Sequence, residues 1–158
     1  MSTFSEQIQI DAPKQEVWDV LADIGSIHVW HPGVKDSRVT TEGEVGLGSE
    51  RRCDLGGRTY LQESVVAWSP LQNMTIRILD TNTPFRTADI HFELHEEGGA
   101  TTVRVSPQYE LKYGPVGKLM DVLMVRTMYR KGMRDLLAGL KRHVEAGLGV
   151  GVGSTLKK

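Results

Sequence analysis

Residues 49–68 read SERRCDLGGRTYLQESVVAW, and apolar and polar side chains alternate on either side of Gly56-Gly57. Alternation with a period of two predicts β-strands, because successive side chains point to opposite faces of a sheet. A Gly-Gly pair between two such runs predicts a tight two-residue turn. We therefore expect an antiparallel hairpin with one face turned towards the protein interior.

Two charged residues, Arg51 and Glu63, fall on that inward face together with Cys53, Leu61 and Val65. An ionised side chain cannot lie in a dry apolar core without a partner. The two residues are expected either to neutralise each other as a structural ion pair or to face a wet, ligand-sized space. Both roles are compatible with the sequence.

The first half of the chain predicts an α+β fold. Residues 4–10 alternate weakly and suit a first strand, and Val17, Trp18 and Leu21 recur at helical spacing after Pro13. A second single helical turn is expected at residues 26–30. Six further strand-like runs follow, separated by turn residues, which gives a meander of about seven antiparallel strands in all. These six runs are residues 37–41, 49–55, 58–68, 74–79, 87–95 and 101–109.

A long helix is predicted at residues 116–145, entered through Gly114 and Pro115. The apolar residues before Arg126 and after Tyr129 do not share one helical face, so we expect a bend near Gly132. One domain at residues 1–146 is expected, followed by a flexible Gly-rich tail at residues 147–158. This order of elements is that of the helix-grip fold, in which a curved sheet wraps around the last helix.

The charge, cysteine content and hydropathy of the chain narrow the range of possible functions. The chain has 158 residues, with 19 basic and 20 acidic side chains and a net charge of -1. Nucleic acid is therefore not an expected partner, because a nucleic-acid-binding domain has a clear basic excess. A single cysteine, Cys53, and no signal peptide predict a reducing cytoplasm. No run approaches the ~18 apolar residues of a membrane-spanning helix. Whether the chain forms a homodimer stays open.

Several motifs lie in a fixed order along the chain: Ile10-Asp11-Ala12-Pro13 with Val17-Trp18, Trp30-His31-Pro32-Gly33-Val34, Gly46-Leu47-Gly48-Ser49-Glu50-Arg51, Glu63, and Leu140-Lys141 with Glu145. Together they resemble the START-like (SRPBCC) superfamily, and more narrowly its polyketide cyclase/dehydrase and lipid-transport group. The superfamily includes plant pathogenesis-related proteins and abscisic acid receptors. The resemblance implies a cavity between the sheet and the long helix that binds an apolar or amphipathic small molecule.

The resemblance and the alternation together suggest which residues line the cavity. Arg51 and Glu63 are expected to orient the ligand, and Trp30 and Pro32 to border the entrance. The apolar wall is expected to come from the strands and from a methionine-rich face of the helix: Ile76, Ile78, Ile90, Phe92, Val103, Val105, Met120, Leu123 and Met124.

Three functions are compatible with these residues. The first is binding of a lipid, an aromatic or a polyketide-like molecule, which needs no catalyst. The second is a polyketide cyclase or dehydratase in which Glu63, Arg51 or His31 moves protons. The third is a protein-interaction module that uses the edge of the sheet or the basic series Arg126, Arg130 and Arg134. No metal or other cofactor is expected: His28 and His31 are three residues apart near Asp23, but three ligands on one rigid face are not evident.

Overall fold

The computed structural model describes residues 1–157, with side chains described to residue 147. Eight strands form one antiparallel sheet: β1 Ser2–Thr3, β2 Glu6–Ile10, β3 Asp36–Val39, β4 Glu50–Gly56, β5 Thr59–Ser69, β6 Asn73–Thr81, β7 Phe85–Glu97 and β8 Ala100–Leu111. The sheet order is β1-β8-β7-β6-β5-β4-β3, and β2 also pairs with β8. The predicted meander is confirmed, with the two-residue β1 as an additional strand.

The β4–β5 hairpin has the register that the alternation predicts. Arg51 pairs directly with Glu63, and Cys53 pairs with Leu61, so the charged residues lie side by side on the inward face. The turn lies one residue later than predicted, because Gly56 still pairs with Thr59. Gly56 and Gly57 have φ of +102° and +59°, a backbone region that glycine enters without steric penalty.

The helices follow the predicted order. Helix α1 spans Lys14–Ala22, and 3₁₀ turns span Ile24–Val29. After β8, α2 spans Gly114–Met120, a π-helical turn spans Asp121–Val125, and α3 spans Arg126–Lys157. Helix α3 continues through Gly132, so the predicted bend at that residue stays a prediction. The irregularity is the π turn, which ends before α3 begins.

A buried carboxylate fixes the π turn against the sheet. Asp121 is 6% exposed, and it accepts hydrogen bonds from the Ser2 hydroxyl at 2.6 Å and from the Tyr109 hydroxyl. Burial, followed by the hydrogen bond to Asp121, raises the pKa of Tyr109 to about 12. The phenol therefore stays protonated and remains a donor at neutral pH. These bonds join β1, β8 and the start of the long helix.

Helix α3 packs its inner side on the sheet and forms the core with it. The buried residues of this side recur at helical spacing: Met133, Leu136, Leu137, Leu140 and Val144. A Cβ on Gly139 would lie 2.2 Å from the carbonyl oxygen of Trp30, so glycine allows the helix to approach the loop after the 3₁₀ turns. The helix-grip fold is thereby confirmed.

Within the part of the chain that the structure describes, no helix combines the length and hydropathy that a membrane crossing needs. The predicted flexible tail, residues 147–158, overlaps the end of α3. Its side chains from residue 148 and the whole of Lys158 lie outside the described residues, so its flexibility stays a prediction.

Candidate functional site

A cavity of about 220 Å³ lies between the sheet and α3. Its wall is mostly apolar, and the polar side chains in it are few. The strands contribute Arg51, Cys53, Leu55, Leu61, Glu63, Ile78, Phe85, Ile90 and Phe92; α3 contributes Tyr129, Met133 and Leu136; and the loops and 3₁₀ turns contribute Ile27, His31, Gly33, Val34 and Thr83. Concave apolar sites with a few placed polar groups are typical of small-molecule binding sites.

Arg51 and Glu63 form a buried ion pair in the cavity wall. The Arg51 Nε donates to Glu63 Oε2 at 2.7 Å, and a terminal guanidinium nitrogen donates to the carbonyl oxygen of Ile24 at 3.1 Å. The two side chains are 8% and 2% exposed. Each charge compensates the other, as burial of an ionised group requires.

The same pair also lines the cavity, so the structural and ligand-facing roles coincide. A guanidinium has five N–H donors, and those to Glu63 and Ile24 use two of them. The donors that are left give the cavity a hydrogen-bonding end without a net charge. The polar end therefore suits an uncharged polar group of a ligand better than a second carboxylate, which would compete with Glu63 for Arg51.

His31 lies at the same end of the cavity and is held as a neutral ring. The Gly33 amide donates to its Nδ1 at 3.1 Å, so the neutral tautomer carries its proton on Nε2. Burial and the nearby Arg51 charge lower the pKa of His31 to about 4. A neutral imidazole that is not protonated at pH 7 can accept a proton or donate a hydrogen bond to a ligand.

Two other titratable groups in the wall, Cys53 and Tyr129, are not activated. Burial raises the pKa of the Cys53 thiol to about 12, and its Sγ lies 3.6 Å from Glu63 Oε2. Burial also raises the pKa of Tyr129 above its usual range. A nucleophilic thiolate at neutral pH requires a lowered pKa, so the site does not provide one.

The structure brings some of the expected residues together in the cavity and separates others. Arg51, Glu63, His31, Ile78, Ile90 and Phe92 line it. Ile76, Val103 and Val105 are buried in the core but do not line it. Trp30 is also buried, but it borders a surface groove with Asp23 and His143. Pro32 is exposed and lies outside the cavity wall.

The residues of the helix that were expected in the cavity wall lie outside it. Met120, Leu123 and Met124 do not line the cavity, and Leu123 and Met124 are 72% and 54% exposed. The inner side of this segment is occupied by Gly117 and Asp121, both buried. The expected methionine-rich cavity wall therefore does not exist at these positions.

Residues that the sequence reasoning missed replace them. Tyr129, Met133 and Leu136 approach the cavity from α3, and Phe85 approaches it from β7. The first three recur at i, i+4 and i+7, so an amphipathic pattern starting at Arg126 would have identified them. Thr83 and Phe85 follow a turn and carried no comparable signal.

The basic series on α3 is partly neutralised. Arg130 and Arg134 both contact Glu6 of β2, at 2.5 and 2.7 Å. Arg126 donates to the carbonyl oxygen of Thr3 at 2.8 Å. These bonds attach the helix to the edge strands, so the three arginines do not form a free basic ridge.

An antiparallel sheet that grips a long C-terminal helix, with an apolar cavity between them, defines the helix-grip class of proteins. The chain belongs to the polyketide cyclase/dehydrase and lipid transport family, whose profile matches residues 1–145. The START-like resemblance is thereby confirmed over nearly the whole domain.

Solved structures show the same fold. A protein from Thermus thermophilus aligns with a TM-score of 0.77 at 20% identity, over 92% of this chain and 99% of the other. A START superfamily protein from Mycobacterium smegmatis gives 0.76 at 15%, over 91% and 97%. The Zhui aromatase/cyclase of a Streptomyces species gives 0.75 at 12%, over 91% and 93%. A search of curated proteins finds no match.

Proposed function

We propose that the protein binds a compact, predominantly apolar small molecule in the cavity between the sheet and α3. The observation that carries this proposal is an apolar cavity of about 220 Å³ with one buried, internally neutralised ion pair at its polar end. Membership of a family described by cyclisation, dehydration and lipid transport supports the same class of ligand.

The size of the cavity limits the ligand. Drug-sized ligands occupy sites of about 300–1,000 Å³, and this cavity is smaller. We therefore infer one or two fused rings, or an apolar group of similar volume, and not a sterol or a long acyl chain lying wholly inside. Because Arg51 and Glu63 compensate each other, the ligand's polar group is uncharged, such as a phenol or a carbonyl.

A matched pair of probes tests both inferences. 2-Naphthol and 2-naphthoate share a ring system but differ in charge, and each can be titrated by calorimetry and by thermal unfolding. We expect 2-naphthol to stabilise the protein by about 2–3 kcal/mol at a hundredfold excess over its dissociation constant. We expect 2-naphthoate to bind at least tenfold more weakly.

Variants connect the binding to the cavity. Leu61→Trp fills the cavity and should abolish the stabilisation, whereas Leu79→Trp, on an exposed position of β6, should keep it. If neither probe binds, or if Leu61→Trp binds as the parent does, the cavity is not the binding site. If 2-naphthoate binds more tightly, the argument from the neutral ion pair is wrong.

A cyclase or dehydratase is the second candidate function. The observation that favours it is a neutral His31 in the same cavity wall as Glu63 and Arg51. The His31 imidazole, a weak base because its pKa is lowered to about 4, would take a proton from an activated carbon while Arg51 hydrogen-bonds the developing enolate oxygen. Turnover of a poly-β-ketone precursor that is lost in His31→Gln would support this function. Unchanged turnover in His31→Gln would contradict it, and so would a parent chain that does not turn over the precursor.

A further inference from the structure

The segment from the end of β8 to the first turn of α3 exposes a series of apolar side chains. Their exposed fractions range from 54% for Met124 to 75% for Val122. We call this set the outer face: Val116, Leu119, Val122, Leu123, Met124 and Met128. Soluble monomers rarely expose contiguous apolar patches of this kind, and such patches mark sites of interaction.

The geometry of the segment explains why these side chains point outward. Gly117 and Asp121 face the protein body, where Asp121 is bonded to Ser2 and Tyr109. A Cβ on Gly117 would lie 2.2 Å from the carbonyl oxygen of Lys112, so the inner side approaches the end of β8 closely. The segment is thereby fixed with its apolar residues on the solvent side.

The charge within residues 112–134 is predominantly positive, and the half-exposed carboxylates of Glu110 and Asp135 lie just beyond its two ends. Residues 112–134 contain six lysines and arginines and one acidic residue, Asp121, although the chain as a whole has a net charge of -1. That acidic residue is buried. Of the cations, Arg130 and Arg134 are paired with Glu6. Lys118, Arg126 and Lys131 are exposed beside the outer face. Arg126 keeps its positive charge although it donates to the Thr3 carbonyl oxygen, and Lys131 also contacts Asp135 on the following turn.

These observations disfavour a second copy of the chain as the partner that binds the outer face. A twofold interface would place the cations of one copy against those of the other, and residues 112–134 offer no exposed carboxylate to oppose them.

We propose that the outer face binds the surface of an anionic lipid bilayer. Its apolar side chains enter the boundary between headgroups and acyl chains, and Lys118, Arg126 and Lys131 lie at the level of the anionic headgroups. A helix with an apolar face and flanking lysines and arginines binds membranes in this way, lying parallel to the surface. Tyr113, which is 62% exposed at the start of the segment, adds an aromatic ring of the type that favours the interface.

Co-sedimentation with vesicles tests the proposal on the full chain. The probes are vesicles of phosphatidylcholine containing phosphatidylglycerol and vesicles of phosphatidylcholine alone. We expect binding to the anionic vesicles that weakens as salt is added, because salt screens the headgroup charge. Lys118→Gln should reduce the partition coefficient about fivefold, the effect of one cation near such a surface. Leu123→Ser should reduce it about tenfold or more.

The chain offers matched controls for both variants. Leu47 is 71% exposed, close to the 72% of Leu123, but lies in the loop between β3 and β4. Arg142 is exposed on the later part of α3. Leu47→Ser and Arg142→Gln should bind the vesicles as the parent chain does. Since all four positions are exposed, the variants should keep the unfolding temperature of the parent chain.

Three results would overturn the proposal. The first is no binding to anionic vesicles at low salt. The second is equal loss of binding in Leu123→Ser and Leu47→Ser. The third is a parent chain that sediments as a dimer in analytical ultracentrifugation and a Leu123→Ser variant that sediments as a monomer, which would assign the outer face to a second copy.

Discussion

Replacing Glu63 by glutamine should destabilise the protein by about 3 kcal/mol, because it leaves the Arg51 guanidinium buried without a counter-charge. The magnitude follows from the geometry. The Nε to Oε2 distance is 2.7 Å and both side chains are at most 8% exposed. Unit charges about 4 Å apart at an effective dielectric constant of about 20 attract each other by about 4 kcal/mol. Glutamine keeps an acceptor for the Arg51 Nε, so the expected loss is somewhat smaller.

The assay is urea unfolding at pH 7, with thermal unfolding as a second measurement. A loss of about 3 kcal/mol in a chain of this length corresponds to a decrease of about 6–12 °C in Tm. Arg51→Met should also destabilise the protein, because it leaves the Glu63 side chain buried without its counter-charge. The double variant Arg51→Met/Glu63→Leu should recover most of the loss, because it leaves no unpaired charge.

An exposed ion pair provides the control. Arg77 and Asp89 face each other on β6 and β7 with two hydrogen bonds of 2.9 Å, and their side chains are 53% and 31% exposed. Solvent screens this pair, so Asp89→Asn should cost less than about 1 kcal/mol. If Glu63→Gln costs no more than Asp89→Asn, or if the double variant is as unstable as Glu63→Gln, the reasoning from burial is refuted.

Three further predictions concern pH, packing and reactivity. The pKa of His31 falls from 6.5 to about 4 on folding, so its contribution to the free energy of unfolding is present above pH 6.5 and is lost as the pH falls towards 4. Urea unfolding between these pH values should show a loss of up to about 3 kcal/mol that is absent in His31→Gln; parallel curves for the two proteins would contradict the prediction. Gly139→Ala should destabilise the protein by about 2 kcal/mol or more, since the new Cβ would lie 2.2 Å from the Trp30 carbonyl oxygen. Gly132→Ala, whose Cβ would meet nothing within 4 Å, should instead stabilise α3 by about 0.5–1 kcal/mol in the same denaturation assay; equal effects of the two would show that the contact is not tight. Cys53, with its pKa raised to about 12 by burial, should react with iodoacetamide at pH 8 only after unfolding in urea, as measured by mass spectrometry; rapid alkylation of the folded chain would show an accessible thiolate.

The sheet and its ion pair were predictable because a period of two leaves little freedom. A shift of one residue in β4 or β5 would turn Cys53, Leu61 and Val65 to the opposite face, so the hydrophobic pattern selects one register. That register places Arg51 opposite Glu63. The turn was displaced by a single residue, because Gly56 and Gly57 both tolerate the positive φ that it needs.

The start of the long helix was not predictable from the pattern. Apolar residues occur on several sides of residues 116–128, so periodicity alone cannot identify the inner side. The π turn then adds a residue to one turn and rotates the residues on either side relative to each other. The inner side is selected by Asp121, whose bond to Ser2 joins positions 119 residues apart in the chain. Such a contact leaves no local signal in the sequence.

The bonds of Asp121 also have a consequence for local unfolding. If the segment from α2 to the π turn left the sheet, the hydroxyls of Ser2 and Tyr109 would lose their acceptor, and β1 would lose a main attachment. β1 and this segment should therefore open as one cooperative unit. Their amide protons should exchange with solvent at a common rate, faster than those of β6 and β7 in the interior of the sheet. Because α3 continues from this unit into the cavity wall at Tyr129, its opening would provide a path for a ligand to enter and leave while the sheet stays folded.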